Sequence, residues 1–232
     1  MTDPIYSTVL FDLDHTLFDT DASEALAFEY TLRLAGVSDP GAHFAAYDRI
    51  NKSLWAAVER QEITPGEVRT ERFEQLVALT GLDADPSAMA DKFADGLARF
   101  GALYPGAFEL LERLAESVSL ALVTNGLSDV QRGRIERLGI AEHFDAVIIS
   151  AEVGASKPGR TIFDVTFGLL GGPPRTSALM VGDSLSSDIR GGTNSGISTC
   201  WYNPHRTTAA TTDRFDHEIT SLEHLPAIVF GI

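Results

Sequence analysis

Short apolar segments rich in β-branched residues recur along the chain, and several of them end at a polar residue. Segments that are apolar at nearly every position are typical of strands buried on both faces of a sheet. Amphipathic segments of helical length lie between them, at residues 108–116, 129–138, 161–170 and 186–194. Strands that alternate with helices predict βαβ units and a doubly wound parallel sheet of the α/β class. The predicted strands are residues 8–11, 118–123, 146–149, 179–181 and 198–202.

A block of consecutive helical segments interrupts this alternation between residues 19 and 103. Turn signals rich in Pro, Gly and Asp separate four predicted helices. These helices span residues 22–35, 43–60, 65–79 and 86–100. We therefore expect an α/β core made of residues 1–18 and 104–232, with an inserted all-helical domain of residues 19–103 that acts as a lid. A length of 232 residues fits one domain with one insert.

The charge and cysteine content exclude several functional classes. The chain has 18 Lys and Arg against 33 Asp and Glu, a net charge of −15, whereas a nucleic-acid polymer or an anionic membrane requires a basic surface. Cys200 is the single cysteine, which excludes an internal disulfide and a Cys-based zinc site and fits a reducing compartment. The first 21 residues are too acidic for a targeting peptide, and no apolar run approaches the ~20 residues of a membrane span. We expect a soluble cytoplasmic protein, either a monomer or a homodimer.

Acidic residues follow two of the predicted strands. Asp12 and Asp14 come after the first strand, and Asp183 comes after the fourth, with Asp188 five residues further on. Ligands of doubly wound sheets bind beyond the carboxyl ends of the strands, so these carboxylates are expected to meet there. Carboxylates held close together repel one another, and a divalent cation relieves the repulsion. Oxygen ligands without cysteine suit Mg²⁺.

A lysine and an anion-binding turn complete the pattern. Lys157 is one of only three lysines and stands before Pro158 on the loop after the third strand. The segment Thr124, Asn125 and Gly126 offers a hydroxyl and backbone N–H groups at the start of a helix, which together can bind an anion. Acids, a metal site, a fixed cation and an anion-binding turn are the groups that phosphoryl transfer requires.

In this order, the residues resemble the four motifs of the haloacid dehalogenase-like hydrolases over essentially the whole chain. Residues 12–16 resemble the DxDxT motif, Thr124 the second motif, Lys157 the third, and residues 182–188 the GDxxxxD form of the fourth. The resemblance implies a Rossmann-like core and identifies the helical insert with the family's C1 cap. A closer resemblance, to the pyrimidine 5′-nucleotidase branch of bacterial house-cleaning phosphatases, rests on residues 50–55, 63–64, 72–74, 149–154 and 200–203.

The resemblance implies a Mg²⁺-dependent phosphomonoester hydrolase that works through an aspartyl-phosphate intermediate. Asp12 would attack phosphorus, while Asp14 would protonate the leaving oxygen and later activate the hydrolytic water. Mg²⁺ would be held by the Asp12 carboxylate, the main-chain carbonyl of Asp14 and Asp183. Asp188 would orient the waters of the metal or hold Lys157.

The remaining implied roles concern the substrate. Thr124 and the amides of Asn125 and Gly126 would bind the oxygens of the transferring phosphoryl group, and Lys157 would neutralise both nucleophile and phosphate. Asn51, Lys52 and Trp55 lie within about one turn of a predicted helix of the insert, so they could share a face toward the core and bind substrate. For Trp55, packing within the insert is an equally good interpretation.

The implied substrate is a small phosphorylated metabolite, namely a pyrimidine (deoxy)nucleoside monophosphate. Three alternatives remain open on the same scaffold: a sugar-phosphate phosphatase, a phosphomutase and a non-catalytic phosphate-binding module. The non-catalytic module is disfavoured because Asp12, Asp14 and Lys157 are all present. A dehalogenase is disfavoured because Asp14 supplies the acid that a phosphatase needs.

Overall fold

The computed structural model describes residues 3–232 and contains one six-stranded, fully parallel sheet in the order β3-β2-β1-β4-β5-β6. The doubly wound parallel sheet is confirmed, and five strands agree with the predicted ones to within one residue at each end. The three-residue edge strand β6 is not predicted from the sequence. The strands are β1 Thr8–Phe11, β2 Ser119–Thr124, β3 Ala146–Ile149, β4 Ala178–Gly182, β5 Ser198–Tyr202 and β6 His217–Ile219.

Four helices follow β1 and precede the first helix of the core, and they are called the helical block here. They are α1 Thr20–Leu34, α2 Gly41–Glu59, α3 Pro65–Thr80 and α4 Pro86–Arg99. The core helices are α5 Ala107–Ala115, α6 Ser128–Leu138, α7 Ser150–Val153, α8 Arg160–Leu169, α9 Arg190–Asn194 and α10 Leu225–Phe230. The division into two domains at residues 19 and 103 stays a prediction.

The loop after β4 differs from the single helix that the sequence predicts over residues 186–194. A π-helical turn, Leu185–Ile189, precedes α9, and the Ile189 amide donates to the Ser184 carbonyl oxygen at 3.1 Å. The Asp188 carboxylate folds back to accept from the Ser184 amide at 3.0 Å. A Cβ atom on Gly182 would collide with that carboxylate, so the turn requires glycine there.

The register of the sheet brings the ends of three strands to one edge. Phe11 at the end of β1 pairs with Leu122 of β2 on one side and with Val181 of β4 on the other. After β1, the chain adds β2 and β3 on one side of β1 and then β4, β5 and β6 on the other side. The strand ends beside β1 are therefore the topological switch point, where ligands of such sheets bind. Asp12, which follows β1, therefore lies between residues that follow β2 and β4.

Separate apolar clusters support the sheet and the helical block. Successive residues of β1 face opposite sides, with Val9 in one cluster of the core and Leu10 in the other. The helical block has its own aromatic cluster, in which the Tyr47 ring lies 5.3 Å from the Phe93 ring. Val130 of α6 belongs to this cluster, so the block packs on the core beside the site.

Among the helices of residues 3–232, none combines the length and the apolar character that a membrane crossing requires. The cytoplasmic location and the choice between monomer and homodimer stay predictions.

Candidate active site

The side chains of Asp12 and Lys157 form the centre of the site. Asp12 Oδ1 lies 2.5 Å from Lys157 Nζ, and the lysine side chain is only 1% exposed. The ammonium also lies 2.7 Å from Asp188 Oδ1 and donates to the Val123 carbonyl oxygen at 2.7 Å. Burial lowers the pKa of Lys157, but the two carboxylates more than offset it, so the net shift is upward and the lysine stays charged. The Asn125 side chain fixes the backbone of Lys157 through two 2.9 Å hydrogen bonds.

Three carboxylates meet beside this ion pair. Asp12, Asp183 and Asp188 each offer an oxygen, and these oxygens lie within 4.8 Å of one another. Burial raises the pKa of Asp12 well above its usual range, and the neighbouring carboxylates add to the shift. Burial and the charge of Asp188 raise the pKa of Asp183 to about 8. A divalent cation relieves such repulsion, and hard oxygen donors suit Mg²⁺, so the residues fit this ion.

Asp14 lies only two residues from Asp12 but in a different environment. Its carboxylate accepts hydrogen bonds from Arg134 Nη1 at 2.7 Å, from Gln131 Nε2 at 2.6 Å and from Thr20 Oγ1 at 2.8 Å. Burial by itself would raise the pKa of Asp14, but the Arg134 charge and the hydrogen bonds outweigh burial and lower it. Neither Gln131 nor Arg134 is predicted from the sequence.

The predicted anion-binding turn lies at the end of β2. The buried Thr124 hydroxyl accepts a hydrogen bond from Gln131 Nε2 at 2.8 Å. The Gly126 amide donates to Ser150 Oγ at 3.0 Å, so in this arrangement it is already committed to a protein group. Binding of a phosphoryl oxygen by Gly126 would require that hydrogen bond to break.

A cavity of about 370 Å³ extends from Asp12 and Lys157 to the helical block. Cavities that hold small ligands have volumes of roughly 300–1,000 Å³. Asn51, Lys52 and Trp55 of α2 all line it, as their spacing predicts. Their environments differ: Asn51 is buried and half-buried Trp55 faces the same space, whereas Lys52 is 73% exposed.

The inner end of the cavity contains two charged residues that are not predicted from the sequence. The buried Arg72 guanidinium lies 5.1 Å from the centre of the Phe93 ring. The Glu24 carboxylate accepts from Asn51 Nδ2 at 3.0 Å, and burial raises its pKa although the Arg72 charge opposes the shift. Both charges lie on the buried faces of their helices, Glu24 one turn from Phe28 and Arg72 one turn from Val68, where an amphipathic pattern predicts apolar residues.

The helical block also contacts the loop that carries Asp183. Glu59, at the end of α2, accepts hydrogen bonds from Ser184 Oγ at 3.3 Å and from Ser186 Oγ at 2.6 Å. Trp201 of β5 braces the same loop from the core, because its Nε1 donates to the Asp183 carbonyl oxygen at 2.8 Å. The metal-binding candidates are thus held between core and helical block.

Comparison with known proteins identifies the family. A family model described as haloacid dehalogenase-like hydrolase matches residues 9–202, which is most of the chain. The chain belongs to the haloacid dehalogenase-like hydrolases. Among curated members, the pyrimidine 5′-nucleotidase PynA of Streptococcus pneumoniae is 37% identical over 221 residues, which cover 95% of this chain and 93% of PynA. The pyrimidine 5′-nucleotidase YjjG of Escherichia coli is 36% identical over 200 residues, which cover 85% of this chain and 86% of YjjG.

A solved structure of the same family shares the whole architecture. The HAD-hydrolase YfnB of Bacillus subtilis, bound to magnesium, is 34% identical, with a TM-score of 0.90 over 98% of this chain and 99% of that chain. That structure reveals interdomain movement. The present chain is therefore an enzyme of the haloacid dehalogenase-like hydrolase family with the Rossmann-like core.

Proposed function

We propose that this haloacid dehalogenase-like phosphatase is a Mg²⁺-dependent 5′-nucleotidase acting on pyrimidine (deoxy)nucleoside monophosphates. The observation that carries the proposal is the convergence of Asp12, Asp14, Lys157 and Asp183 at one end of a cavity of about 370 Å³, with the buried Thr124 hydroxyl joined to Asp14 through Gln131. The similarity of the chain to two pyrimidine 5′-nucleotidases, over most of their length, supports the proposed substrate class.

Asp12 is the proposed nucleophile. Its carboxylate attacks phosphorus, the bond to the ribose 5′ oxygen breaks, and an aspartyl-phosphate forms. Asp14 must carry a proton when the bond breaks, and it gives that proton to the departing oxygen. The lowered pKa of Asp14 favours the ionised form that remains, which then takes a proton from the water that hydrolyses the intermediate and is thereby reprotonated for the next cycle. Lys157, 2.5 Å from Asp12, favours the ionised nucleophile against the burial and the carboxylates that raise the pKa of Asp12, and it neutralises charge on the phosphoryl group.

The metal would be held by the Asp12 carboxylate, the main-chain carbonyl of Asp14 and Asp183. When bound, Mg²⁺ supplies positive charge for the phosphoryl oxygens and the nucleophile. Asp188 holds Lys157 at 2.7 Å, which fits a role in fixing that ammonium beside Asp12. Thr124 and the amides of Asn125 and Gly126 are proposed to bind the phosphoryl oxygens, with Gly126 leaving Ser150 as substrate enters.

The charge that the helical block presents to the cavity favours a nucleoside over a second anionic group. Four carboxylates and two cations of the block line the cavity, so a second phosphate or a carboxylate of the substrate would meet net repulsion there. A neutral base would not, and it could stack on Trp55 while the Asn51 amide contacts its polar edge. The six charged residues are Asp21, Glu24, Asp48, Glu59, Lys52 and Arg72.

Phosphate release from a panel of substrates tests the proposal. With Mg²⁺ present, we expect UMP, dUMP and dTMP to give higher kcat/KM values than ribose 5-phosphate, hexose phosphates or other sugar phosphates. An Asp12→Asn variant in the same assay shows that the phosphate comes from this site. Higher kcat/KM for sugar phosphates would contradict the nucleotidase. Conversion of a sugar phosphate to its isomer would indicate a phosphomutase, and no turnover of any substrate would indicate a binding module.

A further inference from the structure

We infer that Arg134 and Gln131 of α6 are positioning residues for Asp14, and that Arg134 links the position of this carboxylate to the helical block. The inference rests on the proposed function, in which Asp14 is the proton donor. It concerns residues outside the four sequence motifs.

The first argument is the way in which the Asp14 carboxylate is held. Arg134 and Thr20 donate to one carboxylate oxygen at 2.7 and 2.8 Å, and Gln131 donates to the other at 2.6 Å. A carboxylate bound at both oxygens by buried donors has one preferred orientation. Within residues 3–232, Asp14 is also the one carboxylate that pairs with the Arg134 guanidinium.

The second argument is the reach of Arg134 into the helical block. Its Nε donates to the Leu97 carbonyl oxygen in α4 at 2.8 Å, and its Nη2 donates to Ser23 Oγ in α1 at 3.4 Å. The guanidinium lies 4.6 Å from the centre of the Phe18 ring, and the side chain is 4% exposed. One rigid, planar group therefore contacts Asp14 and both ends of the inserted segment. Any shift of these ends relative to α6 changes the donors available to Asp14.

The third argument is the bridge made by Gln131. The two hydrogens of its amide go to Asp14 Oδ2 at 2.6 Å and to Thr124 Oγ1 at 2.8 Å. Gln131 thereby fixes the spacing between the proposed acid and the hydroxyl proposed to bind the phosphoryl group. Proton transfer requires a heavy-atom distance of roughly 2.6–3.2 Å, so this spacing decides whether the leaving oxygen lies within reach.

Arg137 provides a matched control on the same helix. Its Nε donates to the Ala98 carbonyl oxygen at 3.0 Å and its Nη2 to the Phe100 carbonyl oxygen at 3.3 Å. Arg134 and Arg137 thus both attach α6 to the end of α4, but only Arg134 reaches Asp14. Comparing Arg134→Gln with Arg137→Gln separates the contact with Asp14 from the attachment of the helical block.

The experiment compares kcat/KM for two substrates that differ in their need for an acid. The ribose alkoxide of UMP needs a proton to leave, whereas the nitrophenolate of p-nitrophenyl phosphate leaves without one. For Arg134→Gln we expect a loss of about 100-fold with UMP and of less than about 5-fold with the aryl phosphate. For Arg137→Gln both values should stay within about 2-fold of the wild type. Guanidinium ion at tens of millimolar should partly restore the UMP activity of Arg134→Gln.

Several results would overturn the inference. Equal losses with the two substrates in Arg134→Gln would show a merely structural role, as would an Arg137→Gln variant that discriminates between them equally well. If Arg134→Gln does not fold, Thr20→Val removes another donor to Asp14, and the same selective loss, of about 5-fold with UMP, is expected. An unchanged substrate ratio in Thr20→Val would then contradict the inference. Absence of phosphate release from both substrates by the wild type would instead refute the proposed function, and the inference with it.

Discussion

The two ends of the cavity are built in different ways. The floor consists of residues at the ends of strands or in the loops that follow them, namely Asp12, Thr124, Lys157 and Asp183. The roof consists of residues on helix faces, namely Glu24, Asn51, Lys52, Trp55 and Arg72. Sheet register and buried ion pairs fix the floor, whereas helix packing places the roof. The floor can therefore perform one reaction in many relatives, while the roof can vary without disturbing it. Substitutions should separate the reaction from the choice of substrate.

The largest effect is expected for Asp12→Asn in the floor. The amide preserves the shape of the side chain but cannot attack phosphorus, so kcat should fall by about 10⁴-fold or more with both UMP and p-nitrophenyl phosphate. Phosphate release measures the loss, and a thermal melt checks that the variant is folded. Retention of more than a few per cent of activity with either substrate would rule out Asp12 as the nucleophile.

The second prediction concerns removal of Mg²⁺ from the floor. EDTA should abolish turnover of both substrates, and excess Mg²⁺ should restore it. Without the ion, the pKa of Asp183 is about 8, against an ordinary 3.8, so between these pH values the folded state keeps a proton that the unfolded chain releases. Stability of the metal-free protein should therefore fall as pH rises through this window.

Melting temperatures test this pH dependence. Because Mg²⁺ binds the ionised carboxylates, the increase in Tm on adding excess Mg²⁺ should be larger at pH 8 than at pH 6. A smaller increase at pH 8 would show that the carboxylates of the floor do not hold the ion. Equal increases would show that their raised pKa values are not linked to its binding.

The third prediction concerns Trp55 in the roof. Stacking of a base on an aromatic ring contributes about 1–3 kcal/mol, so Trp55→Ala should lower kcat/KM for UMP by about 5- to 160-fold. Turnover of p-nitrophenyl phosphate should stay within about 2-fold, because the floor is intact. Equal losses with both substrates would indicate that Trp55 only packs the helical block.

The smallest effect is expected for Lys52. Its ammonium lies 2.9 Å from Asp48 one turn earlier on α2, and its side chain is 73% exposed, an arrangement that contributes little energy. Lys52→Ala should change kcat/KM for UMP by less than about 3-fold. Lys92→Ala is the matched control, since Lys92 pairs with Asp95 on α4 in a similarly exposed position. A loss above 10-fold in Lys52→Ala alone would place Lys52 among the substrate contacts.

The floor is more readily predicted from the sequence than the roof. Asp12, Thr124 and Asp183 each stand at the end of an apolar run, and parallel pairing alone brings such positions to one edge. Arg134 and Gln131 carry no such signal, because polar residues on an amphipathic helix are normally solvated. Their burial depends on the helical block packing against α6, which no local pattern encodes.

Tertiary packing also explains most of the other differences between the predicted and the observed structure. Asn51, Lys52 and Trp55 can be placed on one helix face from spacing, but their exposure depends on neighbouring helices. The π-helical turn arises from the side chain of Asp188 folding back on the backbone of Ser184, a tertiary arrangement within one loop. The edge strand β6 has three residues, too few for a periodic pattern to indicate it.

The ion pair between Asp12 and Lys157 joins residues that are 145 positions apart in the chain. Asp188, which completes it, is encoded later still, so a ribosome must release most of the protein before any part of the floor can close. Until then the acidic residues remain on separate, solvated segments, and long-range pairing of this kind forms late and slowly. The enzyme can therefore become active only after the whole α/β core has folded. Recovery of turnover is consequently a sensitive measure of refolding for this chain.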